Sequence, residues 1–129
     1  VALRVSFNRL VFEALRSALG ASTLPFEVTL RPDVAHADDR PPYCVYQRVA
    51  LAPFATLTLD SSLAQAIYQI DIYANTRAAV DEIAAVLRFG LQGVEDASMI
   101  LTDSHCSYEA EASLYREMLT YSVWAPTPI

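Results

Sequence analysis

His36 lies in the segment Arg31-Pro-Asp-Val-Ala-His-Ala-Asp-Asp-Arg-Pro-Pro42, with Asp33, Asp38 and Asp39 beside it. Carboxylates and an imidazole can share a divalent cation. Their spacing here matches no known cage, so the segment reads as a solvated charged loop and no metal is expected. His105-Cys106, next to Asp103, has the residue types of a nucleophile and its base. Neighbours in a strand point to opposite faces, which keeps His105 away from Cys106. A turn histidine and a packed cysteine are the expectation. Asp71, Glu109, Glu111 and Glu117 have the chemistry for acid–base work. Nothing in the sequence puts two of them in one apolar pocket, so they read as surface or interface charges. Arg48, Arg77, Arg88 and Arg116 are their opposite partners, within or between subunits. With three glycines, Gly20, Gly90 and Gly93, no phosphate-cradling loop can be built. CxxC, HExxH and GxSxG are all missing. The sequence therefore predicts no enzyme and no cofactor.

The elements that would position these residues follow from periodicity. The clearest unit runs from Tyr68 to Leu91. Tyr68, Ile70 and Ile72 alternate with Gln69, Asp71 and Tyr73 as in a strand. Val80, Ile83, Ala84, Leu87 and Leu91 then fall on one helical stripe, with Asn75 or Thr76 as N-cap. Residues 3–19 read as an amphipathic helix stopped by Gly20. Residues 26–30 suggest a short strand, 31–42 an exposed loop, 43–50 a strand with Tyr43, Val45, Gln47 and Val49 on one face, and 51–62 a hairpin connection or loop with a possible arm at 56–59. Residues 63–74 are a strand and 76–91 a helix. Residues 98–102 are a strand, 103–107 a connection, and 108–124 a long strand whose imperfect alternation calls for a bulge near Glu117. Pro126 and Pro128 end the chain as an exposed tail. The expected fold is α+β: an antiparallel β-sheet with two α-helices packed on one face, in a single domain over residues 1–129. Tyr43 and Tyr73 on the second face admit two readings, a partner surface or ordinary half-exposed tyrosine.

The totals narrow the function classes. The chain has 129 residues, 53% of them apolar, which argues strongly against disorder and allows a real core. No apolar run is long enough to span a membrane and no signal peptide opens the chain, although a first residue of Val does not settle targeting. A net charge of −6 argues against sequence reading of nucleic acid, but carboxylates lining a channel would let DNA slide without sticking. All nine basic residues are Arg. Cys44 and Cys106 make no disulfide framework. They read as reduced, buried thiols, with one bridge open if their strands are neighbours.

The strand Pro41-Pro-Tyr-Cys-Val-Tyr-Gln-Arg-Val49, the strand Tyr68-Gln-Ile-Asp-Ile-Tyr-Ala74 and the helices around them resemble the tail completion or tail terminator proteins of tailed bacteriophages. The resemblance covers residues 3–91 and weakly the final strand, and departs at 51–62. It implies an α+β subunit of a homo-hexameric ring. That ring would cap the phage tail tube protein, join the tail to the head connector or stopper protein, and pass double-stranded DNA through its lumen. It implies a place in the virion neck after assembly in the host cytoplasm, with no membrane. The subunit-contact candidates are Arg48, Asp71 and Tyr73, together with Arg77 and Arg116. The loop of Asp33, His36, Asp38, Asp39 and Arg40, and the segment 51–62, would dock on neighbouring rings or line the channel. Another neck protein, such as a head-completion stopper, is the alternative within the class. Outside it, the alternative is a small α+β ligand-binding domain or enzyme.

Overall fold

The structure, a computed structural model, describes residues 6–55, 62–94 and 97–126. The chain is an α+β fold with two helices and five strands: α1 (Phe7–Gly20), β1 (Thr29–Pro32), β2 (Tyr43–Ala55), β3 (Ser62–Ala74), α2 (Arg77–Leu91), β4 (Ser98–Glu109) and β5 (Leu114–Pro126). Both helices begin on a side-chain cap. Ser6 Oγ accepts from the Arg9 amide and Thr76 Oγ1 from that of Ala79, each satisfying an orphan donor of the first turn. Thr76 is thus the α2 cap. The predicted helix start at Leu3 lies outside the described residues.

The sheet order is β1-β2-β3-β5-β4. Its four long strands pair antiparallel, whereas β1 pairs with β2 in parallel, so the sheet is mixed rather than purely antiparallel. Residues 33–42 carry the chain back along the sheet, which a hairpin cannot do. The alternation in β3 holds. Tyr68, Ile70 and Ile72 are fully buried, and Leu119, Tyr121 and Val123 of β5 join them in one core with the apolar stripes of both helices. Contacts from both helices reach this face: the Tyr68 hydroxyl donates to Asn8 of α1, and Arg88 of α2 donates to Glu117.

Three expectations at the C-terminal side need correction. Residues 103–107 are not a connection but the middle of β4, and the turn falls at 110–113. Strand β5 has no bulge at Glu117, because its two parities serve two faces. The irregularities lie at Val49 in β2 and Thr102 in β4. Val49 therefore does not continue the Tyr43–Val45–Gln47 parity. Pro126 pairs with Leu63 in the sheet, while 127–129 and the predicted arm at 56–59 lie outside the described residues.

The helices cross closely at Gly90. A Cβ there would sit 2.4 Å from the Ala18 Cβ. Gly90→Ala should therefore force α1 and α2 apart and lower stability by about 1–3 kcal/mol, a cost typical of overpacking that outweighs alanine's better helix propensity. Urea unfolding of the two proteins measures the difference.

Candidate functional site

The face of the sheet turned away from the core carries an ordered polar cluster. Cross-strand register fixes it in rows: Tyr43–Tyr73–Arg116–Ser107, then Val45–Asp71–Met118–His105, then Gln47–Gln69–Thr120–Asp103. Arg116 holds Asp71 Oδ1 with two donors, Nε at 3.1 Å and Nη2 at 2.9 Å, and reaches Glu109 with Nη1 at 3.3 Å. Gln69 Nε2 donates to the other Asp71 oxygen at 3.0 Å. The guanidinium also lies 5.7 Å from the Tyr73 ring centre, and Tyr73 stacks on Tyr43 at 5.1 Å. Asp71 is 5% exposed, so this is not a loose surface pair. Burial works against charge on Arg116, but the hydrogen bonds and charge of Asp71 outweigh it and raise its pKa. Burial, and then the Asp71 charge, push Tyr73 up. The result is a tyrosine–arginine platform held by ring stacking, a cation–π contact and the Asp71 ion pair.

Of the residues expected at subunit contacts, Asp71, Tyr73 and Arg116 thus come together. Arg77 and Arg48 do not join them. Arg77 opens α2, with its guanidinium 5.4 Å from the Tyr115 ring centre and an ion pair to Asp81 at 3.9 Å. Arg48 is exposed on β2, in the row of Tyr68.

In the 33–42 loop, ligand-type atoms of His36, Asp38 and Asp39 lie within 4.8 Å of one another. The Asp39 oxygens are already engaged. Arg31 grips them with Nε at 3.0 and 3.2 Å and Nη2 at 2.9 Å, and the His36 amide donates to Oδ2 at 2.8 Å. A cation would have to displace the guanidinium, so the group reads as a loop clip. Asp33 and Arg40 are exposed on the same loop. Arg31, expected in the loop, is instead a β1 residue that anchors it.

This clip should respond to acid. The hydrogen bond from Arg31 holds the Asp39 carboxyl at about 2, below its ordinary 3.8. A depressed carboxylate contributes its stabilisation in full above the unfolded value and loses it as pH falls through the folded one. Hydrogen-exchange protection of 33–42 should thus decline between about pH 4 and pH 2. Asp39→Asn should show the weakened protection already at neutral pH and lose the acid step.

Sequence reasoning missed a second cluster on the core side. Glu117, expected as a surface or interface charge, is 4% exposed. It accepts from Arg88 Nη1 at 3.0 Å, Ser104 Oγ at 3.3 Å and Cys106 Sγ at 3.4 Å. Its signal was available: Glu117 shares the parity of Leu119, Tyr121 and Val123, so an acid stands on the apolar face. Asp71 belongs to the other parity, so these two carboxylates stand on opposite faces and form no catalytic pair. His105 and Cys106 likewise pair with Met118 and Glu117 on opposite faces. Both cysteines are free. Cys44 is buried in β2, which raises its thiol to about 12. Cys106 is exposed rather than packed, and β3 and β5 lie between the two strands, which rules out a bridge within the chain. An open concavity of about 450 Å³ lies at the end of α1, between Leu19, Phe26 and Leu30, with Arg16 and Glu27 at its lining. It is separate from both charge clusters. Among the described residues no helix is long and apolar enough to cross a membrane.

No protein-family model matches the chain, and no curated protein matches it either. A solved structure is similar: a chain in the virion of a native gene transfer agent particle superposes with a TM-score of 0.59. The match covers 89% of this chain and 93% of that one, at 12% sequence identity. The two share a fold over most of both chains. At that identity the likeness is one of backbone architecture, and it assigns no site residue.

Proposed function

We propose that this chain is a structural virion protein: the tail terminator of a tailed-phage-like particle. In this role identical subunits close as a homo-hexamer on the end of the tail tube. One side of the ring stops tube growth, the other meets the head connector or stopper protein, and double-stranded DNA passes through the lumen. The reading places the protein in the neck of the virion after assembly in the host cytoplasm, and it is not enzymatic.

The observation that carries the reading is the fold shared, over nearly the whole of both chains, with a component of a gene transfer agent virion. The terminator-like strand patterns at 41–49 and 68–74 point the same way. The net charge of −6 supports a conduit that repels phosphate instead of binding it. The cluster of Asp71, Tyr73 and Arg116 supports a contact between subunits, since a preorganised aromatic and guanidinium surface loses little entropy on docking. The clipped loop of Asp33, His36, Asp38, Asp39 and Arg40 is the surface for a neighbouring ring.

Light scattering coupled to size exclusion, followed by imaging of the purified protein with tail tubes, tests this. Closed rings seated at one tube end are the expected result. Rings that bind only the connector would favour a head-completion stopper. Protein that neither forms rings nor binds either structure would overturn the reading.

A further inference from the structure

We propose that a second copy of this chain docks on the outward face of α2, with the two copies of the helix antiparallel about a two-fold axis at Ala85. A two-fold contact joins copies two by two and does not continue, so it is separate from the contact that closes a ring.

Helix α2 has two opposite stripes. Val80, Ile83, Ala84, Leu87 and Leu91 are buried in the core. Ala78, Glu82, Ala85 and Phe89 recur three or four residues apart on the other side, and all four are exposed. Phe89 is 81% exposed, more than any other large hydrophobic side chain described. Single exposed apolar residues are ordinary. What distinguishes Phe89 is its setting. The alanines at 78 and 85 leave a shallow hollow on the same stripe, of the kind that a side chain from a neighbouring helix enters.

Charge selects the occupant and its direction. The exposed side of α2 is acidic toward its start, with Asp81 and Glu82, and basic toward its end, with Arg88. Glu82 has no ion pair among the described residues. Arg88 gives Nη1 to Glu117, yet its side chain is 40% exposed, and a guanidinium fork carries further donors. A parallel pairing would set Glu82 against Glu82 of the other copy. An antiparallel pairing about Ala85 sets Glu82 level with Arg88 of the other copy, and does so twice. It also sets each Phe89 level with the gap between Ala78 and Ala85 opposite. The face is thus complementary to itself, as a two-fold contact requires.

Only a residue on the axis meets its own copy, and cysteine cross-linking reads this directly. Cys106→Ser removes the exposed thiol and leaves the buried Cys44 as the one native cysteine. In that background, Ala85→Cys treated with diamide should give a disulfide-linked dimer on a non-reducing gel. Ala78→Cys lies on the same stripe, but its two copies would stand about 20 Å apart along the helices, well beyond the ~7 Å that a disulfide spans. It should cross-link far more slowly. Adding Phe89→Asp to Ala85→Cys should slow the cross-linking by roughly tenfold or more, since the apolar contact is lost. Circular dichroism confirms that each variant is folded. Equal rates for the two cysteines would mean random collision and would overturn the axis. A rate unchanged by Phe89→Asp would overturn the face. Rings that form while Ala85→Cys stays unlinked would overturn this pairing and leave the ring reading standing.

Discussion

Arg116→Ala is expected to lower the folding free energy by about 3–5 kcal/mol, the cost of leaving one member of a buried ion pair without its partner. Asp71 has a relative exposure of 5% and receives two of its hydrogen bonds from this guanidinium. Without them only Gln69 remains as a side-chain donor among the described residues. Water has little access on this face, because Val45, directly opposite Asp71 on β2, and Leu114 of β5 are also buried. Small domains are stable by only about 5–15 kcal/mol, so the variant should unfold at much lower urea. The cost is mainly electrostatic. Asp71→Asn in the Arg116→Ala background should therefore recover part of it, since a neutral amide tolerates burial better than an unpaired carboxylate. Urea unfolding of the wild type, the single variant and the double variant checks both claims. A double variant no more stable than Arg116→Ala would mean that lost packing, including the Tyr73 contact, carries the effect.

The contrast between the two sheet faces shows what the sequence alone reveals. The unit from Tyr68 to Leu91 is legible because a period of two meets a period of 3.6 at a threonine cap, and burial on one side enforces both. The Asp71 and Tyr73 parity is legible for the same reason. Strand β4 is not. At the sheet edge nearly all of its residues are exposed, so no face demands apolar side chains and Thr102-Asp-Ser-His-Cys-Ser107 shows no alternation. The β1–β2 pairing escapes because its anchor, Arg31 with Asp39, is a contact across a loop that carries no periodicity. Arg116 could be named as some carboxylate's partner, but its choice of Asp71 depends on β5 lying beside β3, a neighbour relation that no local pattern encodes. Glu117 was concealed differently. Placing a bulge there keeps an acid off the apolar face, whereas the chain buries the acid and supplies an arginine from α2.

That arginine is the second place where a large effect is expected. Arg88→Ala should destabilise the fold by about 3 kcal/mol, at the lower end for breaking a buried pair. Two features hold it there. Glu117 keeps Ser104 and Cys106 as donors, and the Arg88 side chain is 40% exposed, so part of the interaction is screened by solvent. What remains is a carboxylate on the core face, paired across the strands with Ile72 and two residues from Leu119, with the guanidinium donor of Arg88 removed. Two hydroxyl- and thiol-type donors do not compensate a full charge there. Arg88→Ala with Glu117→Gln should therefore be more stable than Arg88→Ala alone, and Glu117→Gln by itself should cost less than either, because Arg88 can turn to water. Urea midpoints order the four proteins. If the double variant is the least stable, the pair acts through packing of the arginine stem between α2 and β5 and the burial of charge is not what the guanidinium offsets.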